Sequence, residues 1–435
     1  MRTMKRVAAV ALSVVVLMTS GVSAKAAVTD VQPAKSSSEA VLKWAKKVGE
    51  PFDEKTYANN TVSKIKLVGN YLYVADDAKH RIMKIDKKDG TILKEQKYCD
   101  ESYIQGYVSS IGYGDGKVYV GYDNGRVQAF DENTLESLWI TDENKNAINA
   151  DFVFTNGKLY FGTTAKTTDW YDNGAPFSYY VVTTSDDDKT KPDEEKTMKK
   201  VVESKTGKFY LKKGVVLGKY IVISDTAGTL TMIDTTNDKV TDTKDIGEAF
   251  SGNITYDEMT GTIYFVAGTN DLYGIKVSAD GKLKDEKKVR LYETGYSSTT
   301  PEVYNGKVYV SGSKGKAFQD KGYMAVADVS SDKYKVNYTV ELSNYSQCEP
   351  TIVKTGENSV RVYFTINDEP GGIYAIEDSK DATSATLEKV YEPTGDIKNT
   401  GCMSDVVVDE DGTIYFANDS KYIMSVGKKV EDTKK

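Results

Sequence analysis

The side chains that most often carry enzyme chemistry are scarce in this sequence. Its 435 residues contain one histidine, His80, and three cysteines, Cys99, Cys348 and Cys402. With a single histidine, only His80 could act as the base of a Ser-His-Asp triad, and a metal site with several histidine ligands is not possible. An odd number of cysteines in a secreted chain leaves at least one thiol free or paired between chains, and we expect free thiols here.

Acidic pairs are common, but none of them is distinctive. Examples are Asp257-Glu258 and the run 409–411, and the latter opens a predicted hairpin, where Asp is a frequent turn former. A glycosidase needs two carboxylates facing each other across a cleft, and nothing in the sequence singles out such a pair. No EF-hand loop and no haem-attachment motif is present. The sequence therefore predicts no catalytic residues and no metal ligands.

Aromatic residues in a polar insertion are better candidates for a binding site. The segment "TTAKTTDWYDNGAPFSYY" at 163–180 places two large rings beside hydrogen-bonding side chains, which is what a sugar or a peptide turn needs for stacking and orientation. With two later extended loops, 313–322 and 366–372, the predicted ligand rim comprises Trp170, Tyr171, Asp172, Asn173, Phe177, Phe318, Asp368 and Glu369. The alternative is that Trp170 is buried and plugs the centre of the fold.

A repeated phrase identifies the elements that must position these residues. The pattern Asn/Asp-Gly-Lys-apolar-Tyr-apolar, or a variant of it, occurs eight times, as in "NGKVYV" at 305–310 and "NGKLYF" at 156–161. The central residues of the copies are Tyr73, Tyr119, Tyr160, Ile221, Tyr264, Tyr309, Tyr363 and Tyr415. Repeats spaced by 40–60 residues with all-strand content indicate a β-propeller.

Each unit has the sequence pattern of four short antiparallel strands. In the second unit the Asp-Gly turn is followed by "KVYV", a Gly-containing turn, "RVQAF", an Asp-rich turn and "SLWI". We therefore predict an all-β, eight-bladed propeller of four-stranded antiparallel blades. The eighth unit ends after its third strand, and the orphan segment 40–49 contains Trp44, which matches Trp139 of "SLWI". We expect that segment to pair with the C-terminal strand and close the ring.

The segment "VQAFDENTLESLW" at 127–139 resembles the A-x-D-x-x-T-G-x-x-x-W repeat of quinoprotein-type propellers. Ala129, Asp131, Thr134 and Trp139 fit the pattern, and Leu135 replaces its glycine. The chain resembles the secreted quinoprotein-like (PQQ-like repeat) β-propeller family of Gram-positive bacteria over nearly all of its length after the N-terminal segment.

The name of this family suggests a PQQ dehydrogenase. The resemblance would imply a calcium ion held by Glu and Asn, an Asp base and, in many members, two adjacent cysteines with a Trp beneath the quinone. This chain has no adjacent cysteines, and Trp44 and Trp139 fall on predicted outer strands. We therefore expect no cofactor and no tight binding of PQQ.

The N-terminus has the pattern of a secretory signal peptide. "MRTMKR" is basic, "VAAVALSVVVLM" is apolar, and cleavage is expected after Ala24 or Ala26. We assign 1–26 to the signal peptide, 27–38 to a linker and 39–435 to one propeller domain. No later segment is apolar enough to span a membrane, and the net charge of −7 gives no reason to expect nucleic acid as a partner.

Together these features predict a secreted or cell-surface protein, monomeric and not an enzyme. It would be a binding or scaffold module for a glycan, a peptide or an envelope protein, with no nucleic-acid partner and no transmembrane segment. The alternative is an enzyme with its site in the central channel, either a quinoprotein dehydrogenase or a hydrolase.

Overall fold

The repeated phrase forms the tight turn between the first two strands of a blade. In "NGKVYV" both turn residues have positive φ, 47° at Asn305 and 75° at Gly306, and Asn156-Gly157 has the same conformation. Two consecutive left-handed residues define a type I′ turn, whose twist matches that of the strands it joins. The phrase therefore specifies both the hairpin and its geometry.

The computed structural model describes residues 29, 31–49, 64–76, 79–98, 111–166, 174–186, 195–210, 212–315, 321–397 and 401–429. These residues form an all-β, eight-bladed propeller, as the sequence predicts. None of the helices within these ranges has the length and apolar character of a membrane span.

The strands are numbered in chain order, and the first of them, β1 (Ala40–Lys47), belongs to the last blade, so blade 1 begins with β2. Blade 1 contains β2 (Lys66–Val68), β3 (Tyr71–Asp76), β4 (Arg81–Asp86) and β5 (Ile92–Lys97). Blade 2 contains β6 (Gly112–Gly114), β7 (Lys117–Gly121), β8 (Val127–Asp131) and β9 (Ser137–Thr141). Blade 3 contains β10 (Val153–Thr155), β11 (Lys158–Gly162), β12 (Phe177–Thr183) and β14 (Lys199–Ser204), while β13 (Glu195–Lys196) joins blade 2. Blade 4 contains β15 (Val215–Leu217), β16 (Tyr220–Ser224), β17 (Thr229–Asp234) and β18 (Lys239–Asp245).

Blades 5 to 8 repeat the same antiparallel order. Blade 5 contains β19 (Thr255–Asp257), β20 (Thr262–Ala267), β21 (Asp271–Val277) and β22 (Leu283–Arg290). Blade 6 contains β23 (Glu302–Tyr304), β24 (Lys307–Ser313), β25 (Gly322–Asp328) and β26 (Lys335–Leu342). Blade 7 contains β27 (Thr351–Lys354), β28 (Ser359–Ile366), β29 (Gly372–Ser379) and β30 (Leu387–Tyr391), and is followed by a 3-10 turn at Gly395–Ile397. Blade 8 contains β31 (Val407–Val408), β32 (Ile414–Ala417), β33 (Tyr422–Lys428) and β1 (Ala40–Lys47).

In several blades the tyrosine of the phrase, in some of them together with its lysine, makes a contact with the next blade. Lys158 and Tyr160 are two residues apart on β11 and therefore point to the same face. Both reach Asp238, in the turn between the last two strands of blade 4: the Tyr160 hydroxyl donates to Oδ1 over 2.6 Å and the Lys158 Nζ over 2.8 Å. In other blades the hydroxyl donates to a backbone carbonyl, namely Tyr73 to Glu132, Tyr363 to Ala34 and Tyr415 to Lys87.

Between blades 6 and 7 a lysine and a tyrosine of the phrase also bind an aspartate, and this aspartate is the more deeply buried of the two. Asp378 of β29 accepts hydrogen bonds from Lys307 Nζ at 3.0 Å and Tyr309 at 2.8 Å, both from the phrase, and from Tyr338 of β26 at 2.6 Å. Asp378 is 2% exposed, so its charge depends on these three donors instead of on water. A buried carboxylate with this many donors holds the two blades in one register.

The N-terminal segment closes the ring. Strand β1 pairs antiparallel with β33 from Ala40 opposite Lys428 to Lys47 opposite Tyr422. The Trp44 Nε1 donates a 3.0 Å hydrogen bond to the carbonyl of Lys87 in blade 1, which makes it a contact between the last and first blades. The predicted closure is confirmed. Ala34, within the segment assigned to a linker, is also buried against blade 7.

The insertion at 185–200 is highly charged, a composition typical of a solvated hairpin tip, and its residues 187–194 lie outside the described residues, but its C-terminal part includes a short strand. Its residues Glu195 and Lys196 form β13, which pairs in parallel with β9, the outer strand of blade 2. The Lys196 ammonium lies 4.8 Å from the ring centre of Trp139. The outer strand of a blade has unpaired backbone groups, and an aromatic face attracts a cation, so this edge can bind an additional strand.

Leu135, which replaces the family glycine, has a φ of 59°. This conformation is unfavourable for a bulky residue, but the side chain is fully buried in a cluster with Tyr73 and Tyr98 of blade 1. Packing between blades therefore compensates for the backbone strain. Cys348 and Cys402 are buried free thiols, as expected, while Cys99 lies outside the described residues.

Candidate functional site

Charged side chains from six blades meet on the axis of the ring. They stand at or just before the first, innermost strand of their blades, at the end of the channel surrounded by the loops that follow the second and fourth strands. We call this end the first face. The channel cluster consists of Lys64 and Lys66 of blade 1, Asp151 of blade 3, Lys213 of blade 4, Glu302 of blade 6, Glu349 of blade 7 and Asp405 of blade 8.

Ion pairs within the cluster connect blades that are distant in sequence. Lys64 Nζ lies 3.0 Å from Asp405 Oδ2 and 3.9 Å from Asp151 Oδ2. Lys213 Nζ lies 3.9 Å from Glu349 Oε1, which joins blade 4 to blade 7 across the axis. The Asp405 carboxylate also accepts the Glu349 backbone N–H at 2.7 Å. At the first face the channel is therefore lined by a network of charged side chains and is not filled by apolar ones.

The surroundings of the lysines push their pKa values in opposite directions. Burial disfavours the charge of Lys64, but the carboxylates of Asp405, Asp151 and Glu349 outweigh it and raise its pKa. Glu349 likewise raises the pKa of Lys213. Lys66 differs, because burial and the nearby Lys213 ammonium lower its pKa to about 8.

Glu302 and Glu349 form an unequal pair of carboxyl groups within hydrogen-bonding reach of each other. Burial and the Glu349 carboxylate raise the pKa of Glu302 well above its ordinary value. Burial opposes the charge of Glu349 too, but the ammonium groups of Lys213 and Lys64 lower its pKa. Within the pair, Glu302 therefore binds a proton more tightly than Glu349.

This assignment predicts different effects for two matched substitutions. Glu302→Gln replaces the carboxyl group of the pair that is less easily ionised by a neutral amide, so unfolding stability at pH 7 should stay at or above that of the wild type. Glu349→Gln removes the partner of Lys213 and should lower stability by about 2 kcal/mol. Urea unfolding of both variants and the wild type from pH 4 to pH 8 provides the measurement.

The pH dependence should also differ between the two variants. The raised pKa of Glu302 contributes stability that is present below the unfolded value of about 4.5 and is lost as pH rises, so this dependence should disappear in Glu302→Gln. The lowered pKa of Glu349 contributes stability above that value, so the deficit of Glu349→Gln should shrink as pH falls. Equal deficits in both variants at pH 7 would contradict the assignment.

A calcium–quinone site does not fit the described part of the channel. Each charged carboxylate of the cluster faces a lysine, with Asp151 and Asp405 around Lys64 and Glu349 beside Lys213. Ca²⁺ needs six to eight oxygen ligands, and an ammonium group in their midst repels it. Among the described residues no group of three or more His, Cys, Asp or Glu side chains is placed to hold a metal ion.

Most of the predicted ligand rim lies outside the described residues, namely Trp170, Tyr171, Asp172, Asn173 and Phe318. Phe177 is buried at the start of β12, so it adds no exposed ring to the rim. Asp368 and Glu369 lie on the loop after β28, on the first face, and the Ser343 hydroxyl donates to the Asp368 carboxylate. The structure thus places these two acidic residues at the face that carries the channel cluster.

The channel cluster was missed by the sequence analysis. Its residues precede apolar strands in segments such as "SKIKLV" at 63–68 and "NADFVF" at 149–154, where a charge is also typical of a solvated loop. A signal exists, because six of the eight units carry a charge at or before this first strand.

Comparison of the structure with solved proteins gives several propellers at low sequence identity. BamB from Moraxella catarrhalis is 12% identical, with a TM-score of 0.58 over 88% of this chain and 99% of that one. Quinohemoprotein alcohol dehydrogenase from Comamonas testosteroni is 11% identical, with a TM-score of 0.64 over 92% of this chain and 78% of that one. The computationally designed Ika8 protein is 10% identical, with a TM-score of 0.56 over 85% and 96% of the two chains. No family model and no curated protein sequence matches the chain.

These similarities support the β-propeller fold and correct one prediction. The chain was expected not to be an enzyme because its sequence lacks a catalytic motif. That expectation is wrong, because nearly the whole chain shares its fold with an alcohol dehydrogenase, and the lack of a recognisable motif therefore does not exclude an enzyme. At this level of identity the similarity shows the fold alone and assigns no activity.

Proposed function

We propose that this chain is a secreted β-propeller that binds a polar ligand, a peptide or a glycan of the cell envelope, at its first face. The observation that carries the proposal is the channel cluster, where ammonium and carboxylate groups from six blades converge at one face. Such a surface offers hydrogen-bond donors and acceptors a few ångströms apart, as peptides and sugars require.

The charges remain accessible at this position. The side chains of Lys64 and Lys213 are 41% and 42% exposed, although both lie inside the ring, because they face the channel. A ligand group can therefore replace channel water without first breaking the packed core. Secretion is supported by the signal-peptide pattern of residues 1–26.

The test begins with purified residues 27–435, screened against a glycan array and a library of cell-wall peptides. For a ligand found in this way, Asp405→Asn should weaken binding tenfold or more by calorimetry, because Asp405 is one of the two carboxylates around Lys64. Asp280→Asn is the matched control, since Asp280 is exposed in a turn after the third strand of blade 5, on the opposite face. Weaker binding by the control, with unchanged binding by Asp405→Asn, would place the site elsewhere.

One observation favours a second candidate, an enzyme with its site in the channel. The pKa of Glu302 is raised and that of Glu349 is lowered, and two carboxyl groups whose pKa values are driven apart can serve as acid and base. Glycosidases separate their carboxyl groups by about 5 Å or more, so this hydrogen-bonded pair suits another hydrolysis better. Chromogenic ester and peptide substrates test it: turnover that disappears in Glu302→Gln supports it, and no turnover across pH 4–8 contradicts it.

A further inference from the structure

A cavity of about 560 Å³ lies between blade 7 and the N-terminal segment that precedes β1. Blade 7 contributes residues of its last three strands and of the loop 380–386, and the N-terminal segment contributes Lys35 and Ser36. The loop follows the third strand of its blade, so the cavity lies on the face opposite the first face. It is therefore separate from the channel cluster, and a ligand there goes beyond the proposed function.

The strand register of blade 7 places four of the lining residues on one face of the sheet. Arg361 of β28 pairs with Glu377 of β29. Ala375, two residues before Glu377, pairs with Glu388 of β30. Paired residues, and residues two apart on a strand, point to the same face. Because neighbouring strands lie about 4.8 Å apart, the backbones at Arg361 and Glu388 are separated by roughly 10 Å across the sheet, with the small Ala375 between them.

Arg361 supplies a buried cation to this cavity. Its side chain is 7% exposed, and its Nη2 donates to the Glu377 carboxylate. Its Nη1 has no hydrogen-bond partner among the described residues. A buried N–H without an acceptor is unfavourable, and a carboxylate is the acceptor whose geometry best matches a guanidinium. The guanidinium is therefore suited to bind one more carboxylate, supplied by a ligand.

The other polar groups of the wall can also take part in binding. Glu388, which is exposed, forms no ion pair with another residue of the part of the chain that the structure describes. The hydroxyl groups of Ser384 and Thr386 likewise make no hydrogen bond within those ranges. Lys35 adds an exposed cation at the N-terminal side. The wall thus offers an unpaired carboxylate at one side and hydroxyl donors between the charges.

We propose that this cavity binds a small zwitterion, a free amino acid or a dipeptide, with its carboxylate on Arg361 and its ammonium group on Glu388. Two cations and two carboxylates line the cavity, so the wall has no net charge and its two signs are separated. A ligand that is itself neutral overall but carries both charges matches this arrangement, whereas a dianion would leave the repulsion of Glu377 and Glu388 unbalanced. The volume lies within the range of small-molecule sites.

Calorimetry with four small probes at pH 7 tests the proposal on the purified protein. Glycylglycine carries both charges, acetate and methyl phosphate carry only the anion, and ethylamine carries only the cation. We expect saturable binding of glycylglycine, at least tenfold tighter than that of each of the other three probes. Absence of saturable glycylglycine binding at millimolar concentrations, or equal or tighter binding of acetate, ethylamine or methyl phosphate, would overturn the proposal.

Three variants locate the site. Glu388→Gln should weaken glycylglycine binding at least tenfold and leave acetate binding unchanged, since only the ammonium group loses its partner. Glu357→Gln is the matched control, because Glu357 is an exposed glutamate in the turn between β27 and β28, on the same blade and face but outside the cavity. Asp405→Asn, in the channel cluster, should also bind like the wild type, so the result does not depend on the function of the first face. An equal loss in Glu357→Gln and Glu388→Gln would contradict the assignment.

Discussion

Replacing Asp378 by alanine is expected to lower the free energy of unfolding by about 3–5 kcal/mol, the largest effect of any single substitution considered for this propeller. The carboxylate is the common acceptor for Lys307, Tyr309 and Tyr338 between blades 6 and 7. Without it, the Lys307 ammonium stays buried, with the Ser379 carbonyl as its remaining acceptor. Urea unfolding at pH 7 measures the change.

Asp332→Ala is the matched control for this substitution. Asp332 also accepts from a lysine of a neighbouring blade, with Lys287 Nζ at 2.6 Å, but its side chain is fully exposed. An exposed ion pair contributes little, so this variant should unfold close to the wild type. If Asp378→Ala unfolds no earlier than Asp332→Ala, the buried contact does not hold the blades together.

A double substitution separates the loss of the pair from the exposure of its remaining member. Lys307→Met combined with Asp378→Leu removes both charges, and should be less destabilising than Asp378→Ala alone because no buried ammonium is left unbalanced. If the loss of unfolding free energy in the double variant equals the sum of the losses in Lys307→Met and Asp378→Leu, the two charges act independently of each other.

The fold could be predicted because its determinants are local and repeated. An Asn-Gly turn requires two positive φ angles, and a lysine and a tyrosine two residues apart on a strand share a face. These rules place each hairpin and the side that packs on the next blade. Trp44, outside any complete unit, indicated where the ring closes, and its bond to blade 1 confirms the inference.

The channel cluster could not be predicted from the sequence in the same way, because its contacts depend on closure of the whole ring. Lys213 and Glu349 come from blades 4 and 7 and approach each other only where the innermost strands surround the axis. In sequence each is a charge before an apolar strand, a position that is usually solvated. The pairing of such residues follows from radial symmetry and not from any local pattern.

Strand β13, in the insertion of blade 3, could not be predicted for a related reason. Its high charge is typical of a solvated hairpin tip, and the local pattern contained no strand signal. The attachment of β13 depends on a free strand edge in blade 2 and on the Trp139 ring, which attracts Lys196. Neither partner lies in the same unit as the insertion, so the sequence around it could not show the contact.

Deleting residues 27–49 is expected to destabilise the propeller by about 5 kcal/mol or more, since it removes the outer strand of blade 8. Seven residue pairs join β1 to β33. The deletion also removes Trp44 from the junction with blade 1 and Ala34 from beneath Tyr363. The loss combines ladder hydrogen bonds with buried apolar area, and circular-dichroism melting of the truncated and full-length proteins measures it.

Complementation in trans distinguishes loss of this strand from nonspecific damage. A synthetic peptide of residues 27–49 should pair with the exposed β33 edge and raise the melting temperature of the truncated protein in a concentration-dependent way. The same peptide with proline at Lys46 should fail, because Lys46 pairs with Ile423 and lies two residues before Val48, whose N–H donates to the carbonyl of Lys421, so its own N–H also points toward β33 and proline would remove that donor. A truncated protein that melts like the full chain would show that the ring does not depend on this closure, whereas rescue by the unmodified peptide alone would show that the eighth blade is completed by the N-terminal strand.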